Sequence, residues 1–368
     1  MKKVIVYYPY SMRELTSGSA VRPRKMLEAF QELGVKESLE IIEIFGDSIQ
    51  REKLLTQLYN EVNPTDILYC YMENATIPMW LTDKDHIPRK PFLEIKFFKY
   101  LKSHNIPLGI FYRDAYWKFN DLYTVRQGVK QGMQFLFKAE LSLFKKYSDI
   151  YYLPSQYMNE YIQFPDERVV ALPPGGIDFI RPDGPLLDEQ PRAIYVGGIH
   201  PRYGVYEMLN AFQKLNKEET QITLTFVCRK EELAKFTHLM EPYINSSWIQ
   251  LIHASGEELM PLYRKADFGI VPIKKDVYND FAVAVKMFEY LSYGLPMIAT
   301  NCNAQMDLVN DGNFGIIVES NEKSIYNALQ EMLDPKKRDE LKHHAILALK
   351  EKHLWYHRAL TVHETLTN

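Results

Sequence analysis

Residues 285–300, Val285-Lys286-Met287-Phe288-Glu289-Tyr290-Leu291-Ser292-Tyr293-Gly294-Leu295-Pro296-Met297-Ile298-Ala299-Thr300, read as a helix, its stop and a buried strand in direct succession. Met287, Tyr290 and Leu291 fall at helical spacing on faces suited to packing, Gly294 ends the helix, and Pro296 opens a segment that cannot continue it. The run Met297–Ala299 is short and apolar, as expected of a strand covered on both faces. Lys286 and Glu289 stand three apart, as neighbours on one helical face. As a plain surface pair they would contribute roughly 0.2–0.5 kcal/mol. The segment Val277–Ala282 (VYNDFA) follows a strand at Phe268–Val271 and delivers the chain into this helix, whose first amides are then ready for an anion.

The same unit recurs in both directions. Downstream of residue 192, strands are predicted at Ala193–Val196, Thr223–Val227, Trp248–Ile252, Phe268–Val271, Met297–Ala299 and Gly315–Val318, with helices between. Upstream they are predicted at Val4–Tyr8, Leu39–Phe45, Asp66–Tyr71, Leu108–Tyr112, Ile150–Leu153 and Val169–Leu172. After the first strand come a turn at Ser17-Gly18-Ser19 and a helix from Val21 to Leu33 that should stop at Gly34. Alternation of this kind builds parallel sheets with helices on both faces. The Pro- and Gly-rich segment Phe179–Arg192 (FIRPDGPLLDEQPR) breaks both periods and reads as a linker. The expected architecture is α/β, two Rossmann-like doubly wound domains facing across a cleft. The expected divisions are a first domain over 1–180, a linker over 181–192, a second domain over 193–352 and a terminal helix over 353–368. Open parallel sheets bind ligands beyond the carboxyl ends of their strands, so loops that follow strands are the candidates for function.

Composition narrows the function. The chain has 368 residues, 44 Lys+Arg against 47 Asp+Glu, and 46% hydrophobic residues. That balance fits a folded globular protein, excludes disorder and argues against a whole-surface nucleic-acid binder. Cys70, Cys228 and Cys302 are far apart, with no CxxC pair and no metal-ligand spacing, so each reads as a small buried residue. Val4–Tyr8 is too short for a signal-peptide core, and no apolar run is long enough to span a bilayer. A cytoplasmic location, dissolved or at the inner face of the membrane, is expected.

With these elements in place, KMFEYLSYGLPMIAT resembles the donor-binding helix of family 4-type retaining glycosyltransferases, which have the GT-B architecture. In order along the chain, LPPGGIDFIRP (172–182) resembles that family's interdomain segment, and YVGGIHPRYGVYEML (195–209) its first nucleotide-binding strand, loop and helix. ASGEELMPLYRKADFGIVP (254–272) resembles the stretch before the donor helix, and Trp355-Tyr356-His357-Arg358 the terminal helix that crosses back to the first domain. The resemblance implies that Glu289 binds the nucleotide ribose and that Lys286 contacts the diphosphate. Phe281 and Ala282 would line the donor, Ala282 standing where the family's commonest form has a glutamate. Gly198 and Tyr203 occupy positions where an arginine and a lysine are usual, which leaves Arg202, one residue off, and Lys286 to neutralise the leaving diphosphate. No metal and no cofactor are implied.

For the first domain the resemblance implies that Gly18 lies in a glycine-rich loop near the diphosphate and transferred sugar; the nearby Arg22 and Arg24 are basic residues that could help hold anions. Arg113-Asp114 stands where many relatives have His-Asp; Asp114 would orient the acceptor hydroxyl, and Arg113 and Trp117 would bind the acceptor. An arginine stays protonated, so Arg113 cannot act as a base. From Lys84 to Lys146 there are 13 basic and 5 acidic residues, interleaved with Phe92, Phe97, Phe98, Tyr100, Phe135, Phe137 and Phe144. Such a face suits anionic lipid headgroups or a lipid-linked acceptor. The expected activity is transfer of a sugar from a nucleoside diphosphate sugar, with uridine as the guessed base, to a glycan or lipid-linked glycan. Peripheral membrane contact and a homodimer stay open as partners; nucleic acid does not. Two other readings remain: a non-catalytic partner of another transferase, and a nucleotide-sugar epimerase.

Overall fold

The computed structural model describes residues 1–12, 18–181 and 190–368, with the backbone alone at 18–20. The chain forms two units, Met1–Pro174 with Trp355–Asn368, and Gly175–Leu354. The division after Pro174 sits earlier than the expected 180, because residues 176–179 bond into the second unit. Gly176 N–H donates to His353 O at 2.7 Å, and Phe179 N–H to Ser292 O at 2.9 Å. Much of the expected linker, residues 182–189, lies outside the described residues.

The first unit carries a six-stranded sheet of β1 (Lys3–Tyr7), β2 (Glu40–Ile44), β3 (Ile67–Glu73), β4 (Leu108–Phe111), β5 (Ile150–Leu153) and β6 (Val169–Ala171). The strands lie in the order β2-β1-β3-β4-β5-β6, and every pairing is parallel. Strands β1 and β4 are apolar runs buried along almost their whole length, as parallel strands between two helical layers must be. The helix after β1 departs from expectation. It spans Gly18–Glu37, with Pro23 inside it, so Gly18 opens the helix and Gly34 does not stop it; Ser17 lies outside the described residues. Gly34 answers a packing need instead, since a Cβ there would come within 2.9 Å of Leu39 O and 3.0 Å of the Ile41 side chain. The terminal helix Trp355–Thr367 completes this unit. Its Leu366 fits over Gly109, where a Cβ would approach to 2.8 Å, and its Thr365 hydroxyl bonds Tyr152 at 2.6 Å.

The second unit carries β7 (Arg192–Val196), β8 (Thr223–Val227), β9 (Ile249–Ile252), β10 (Phe268–Val271), β11 (Met297–Thr300) and β12 (Gly315–Val318). Their order is β12-β11-β10-β7-β8-β9, again all parallel. Numbered within the unit this is the order 3-2-1-4-5-6 of dinucleotide-binding sheets, with the reversal between β7 and β10. In the first unit the reversal falls between β1 and β3. Both sheets are therefore Rossmann-like, and each offers a crevice beyond the ends of one particular strand pair. No helix among the described residues is long and apolar enough to cross a membrane. The three cysteines are free and buried, and burial pushes the Cys228 and Cys302 thiols up to about 11.

Candidate functional site

At the reversal of the second unit, the loop after β7 begins with Gly197-Gly198. A Cβ on Gly197 would lie 2.7 Å from Lys286 Nζ and 2.9 Å from the Tyr195 hydroxyl, so only glycine leaves the ammonium its place. Lys286 is half-buried on the helix Val285–Ser292, and its Nζ sits 4.4 Å from the centroid of the Tyr195 ring. Burial lowers its pKa to about 8, with Glu289 pulling it back up. The ring holds the cation by its negative face without neutralising it. The first amides of this helix have no side-chain cap, since Ala284 stands at the N-cap. Such uncapped donors and the helix dipole favour an anion.

The loop after β10 meets the loop after β7 directly. Gly204 has φ +62, and a Cβ there would lie 1.8 Å from Pro272 O, a position no other residue can take. Lys274 N–H donates to Arg202 O at 3.0 Å. Arg202 Nε and Nη2 bond Asp276 Oδ2 at 2.9 and 2.8 Å. Asp276 in turn caps the short helix Val277–Phe281, accepting from Tyr278 N–H at 3.0 Å and Asn279 N–H at 2.8 Å. Arg202 is therefore held at the crevice by a carboxylate that already serves another purpose. The start of the 277–281 segment is likewise filled by that carboxylate, so the uncapped amides are those from Val285 onward.

Glu289 is half-buried one turn beyond Lys286 and accepts a 2.8 Å hydrogen bond from the Tyr263 hydroxyl. Tyr263 stacks on Tyr293 at 5.0 Å and meets Tyr290 edge-on, so the donor that orients the carboxylate is itself fixed. Phe281, expected to line the donor, is 2% exposed and packs edge-on to Tyr278. Ala282 is half-buried, and its N–H goes to Tyr278 O at 3.2 Å.

The first unit treats its expected residues differently. Trp117 is packed inward. It is 2% exposed, stacked on Phe137 at 4.9 Å with the Lys118 ammonium 5.3 Å from its ring centroid, and its Nε1–H donates to Tyr112 OH. Arg113 bonds Glu73 at 3.1 Å and donates to Tyr10 OH at 2.7 Å. Asp114 is half-buried and accepts from Tyr116 N–H at 3.0 Å, shaping the turn after β4. Gly18 is the first helical residue; Arg24 is exposed and Arg22 buried. Of the aromatic residues between Lys84 and Lys146, Phe92 and Phe135 are exposed, while Phe97, Phe98, Phe137 and Phe144 are core. Lys96, Lys99, Lys145 and Lys146 are all exposed.

Sequence reasoning assigned no role to Tyr195, Tyr263 or Asp276. The signal for Asp276 was present, an aspartate directly before a helical segment. The tyrosines carried no signal of their own, because their part depends on which side chain lies across from them.

The fold is that of a two-domain protein of the GT-B type, with a candidate site at the reversal of its second sheet. Residues 190–335 match the family described as glycosyl transferases group 1. Solved structures agree in fold over the whole chain. A glycosyltransferase from Rickettsia africae has 14% identity, covering 99% of this chain and 98% of its own, with TM-score 0.63. The Anabaena protein HepE in complex with UDP has 11% identity, full coverage of both chains and TM-score 0.64. Sucrose-phosphate synthase from Thermosynechococcus elongatus has 14% identity, covering 99% and 98%, with TM-score 0.61. No curated protein matches the chain significantly.

Proposed function

We propose that this chain is a retaining glycosyltransferase that moves a sugar from a nucleoside diphosphate sugar to a hydroxyl of a glycan or lipid-linked glycan. The observation that carries the reading is the crevice at β7 and β10. There an ammonium left without a carboxylate partner, uncapped helix amides and an oriented glutamate lie within the segment that matches the glycosyl transferases group 1 family. HepE, solved with UDP and also with UDP-glucose, favours uridine as the base.

In this reading Glu289, steadied by Tyr263, accepts hydrogen bonds from the two ribose hydroxyls. The amides from Val285 onward and the Lys286 ammonium receive the diphosphate. As the bond from the sugar to the diphosphate breaks, negative charge grows on the β-phosphate, and cations already in place lower that barrier without reorganising. Arg202 joins them by turning from Asp276 to the phosphate. In a front-face mechanism the departing phosphate oxygen takes the acceptor proton, so no side-chain base is required, and metal independence follows from the two cations. The first unit would present the acceptor, with Asp114 near its hydroxyl. The enzyme would work in the cytoplasm at the inner membrane face. Neutralising Lys96, Lys99, Lys145 and Lys146 together is expected to reduce sedimentation with anionic vesicles; unchanged sedimentation removes the membrane contact.

Calorimetry with UDP, GDP and their glucose conjugates tests the reading. Binding of one nucleotide in the micromolar range is expected, and an inert crevice for all of them refutes it. One observation favours a second reading, a non-catalytic partner of another transferase: Arg202 is already engaged by Asp276, and Ala282 stands at a glutamate position. A chain that binds UDP yet turns over no donor with any acceptor supports that alternative. A new sugar isomer formed from donor alone would mark an epimerase.

A further inference from the structure

At the carboxyl end of β3 the first unit buries a guanidinium, that of Arg22, with one edge left unbonded. Glu73, the last residue of that strand, is fully buried and accepts from Arg22 Nε at 3.2 Å, Arg113 Nη2 at 3.1 Å and the Tyr71 hydroxyl at 2.8 Å. Arg22 is 8% exposed. Its guanidinium lies 3.6 Å from the centroid of the Phe111 ring and 5.7 Å from that of Trp355. Both of its terminal nitrogens, Nη1 and Nη2, are buried without a hydrogen-bond partner. The neighbouring Tyr8 hydroxyl is turned to Pro23 O at 2.9 Å. Arg358, on the terminal helix and also buried, is held to Pro174 O at 3.0 Å, and burial together with the Arg22 charge lowers its pKa to about 9.

Two of these guanidiniums meet on Glu73, and the outer edge of Arg22 is left over. Each buried polar group left unsatisfied costs about 1–3 kcal/mol. Aromatic faces beside a guanidinium do not satisfy its N–H donors, which point in the plane of the group. What that plane fits is a pair of oxygens on one centre, taken by two parallel hydrogen bonds. The position adds a second argument, because the pair β1 and β3 is the strand reversal of this sheet, where such sheets bind ligands.

We propose that the first unit binds an oxyanion, a phosphate monoester or a carboxylate, on the Nη1–Nη2 edge of Arg22, and that this anion is a group on the acceptor. Only the assignment to an acceptor rests on the transferase reading; the anion site itself does not. Glu73 fixes the Nε side of the guanidinium and so aims the opposite edge. Arg358 adds long-range attraction.

The test is calorimetric titration of the full chain with inorganic phosphate and, separately, acetate at constant ionic strength. The variants are Arg22→Met, Arg22→Lys and Lys286→Ala, with UDP titrated in parallel. Phosphate binding is expected to survive in Lys286→Ala and to weaken about ten- to a hundredfold in Arg22→Met, the loss of a charge-assisted pair. Binding of phosphate but not acetate assigns a phosphate ester; binding of both extends the site to carboxylates. Equal phosphate affinity in wild type and Arg22→Met, or no binding of either anion to wild type, overturns the proposal. Should Arg22→Met fail to fold, Arg22→Lys decides, because lysine keeps the charge but loses the fork, and unchanged affinity there also overturns it. Nitrogen-15 labelling of the arginines in the wild-type chain gives a reading without any variant: phosphate must shift the Arg22 side-chain signal. If UDP fails to bind while phosphate binds through Arg22, the transferase reading falls and the anion site stands.

Discussion

The two sheets place charge at the same topological point and handle it in opposite ways. Beyond β7 and β10, Lys286 and Glu289 are half-buried, and the contacts that hold them are an aromatic face and a tyrosine hydroxyl. Beyond β1 and β3, Arg22 and Arg113 converge on a fully buried Glu73 among tyrosines. A charge steadied by a ring face keeps its capacity for a ligand, whereas a charge steadied by a carboxylate has lost much of its own. The second unit thus leaves its cation open to the proposed diphosphate, while the first ties its guanidiniums to Glu73 and leaves Arg22 Nη1 and Nη2 without a partner.

That contrast can be broken at several points. The largest effect is expected from Trp117→Ala, a loss of about 3–5 kcal/mol in urea unfolding, because a stacked core ring is removed. A stable variant with impaired transfer would instead return Trp117 to the acceptor site. Next in size, Lys286→Ala and Arg202→Ala are each expected to lower turnover about 10²–10³-fold without unfolding the chain. Normal rates in both variants would show that the second unit does not use its cations. Glu289→Ala is expected to weaken UDP about ten- to a hundredfold through lost ribose contacts, as measured by calorimetry.

The same lysine also predicts a pH dependence. Lys286 has its pKa lowered by burial to about 8, against an ordinary 10.5. Below pH 8 folded and unfolded chains both carry the proton, and its burial penalty is constant. Between pH 8 and 10.5 the unfolded chain binds more protons, so this residue's contribution to stability rises with pH. UDP affinity should fall over the same interval as the ammonium is lost. In Lys286→Met the rise in stability should vanish; a rise that persists there would place the titration elsewhere.

The twelve strands were legible because most are short apolar runs bounded by turn residues, a pattern that burial on both faces imposes. Helix limits were less so. Gly34 looks like a stop in any sequence, but here it admits the chain entering β2, a requirement set by a segment not yet formed when the glycine is read. In the site, the spacing of Lys286 and Glu289 was visible because both ride on one helix. The pairing of Arg202 with Asp276 was not, since it joins loops 74 residues apart and depends on the register of two strands. The burial of Trp117 and the pairing of Arg113 with Glu73 were hidden for a related reason: burial belongs to the whole sheet, and a polar or aromatic residue after a strand looks the same whether it faces ligand or core.

The terminal helix carries a consequence for how this protein is made. Leu366 and Thr365 cover Gly109 and Tyr152 of a sheet whose last strand ends at Ala171. During synthesis the ribosome must produce all of residues 175–354 before that patch can be closed. The amino-terminal lobe therefore waits, with an apolar flank in water, through the birth of its neighbour. A stalled or clipped chain lacking residues 355–368 would expose the defect in the half of the molecule that was translated first.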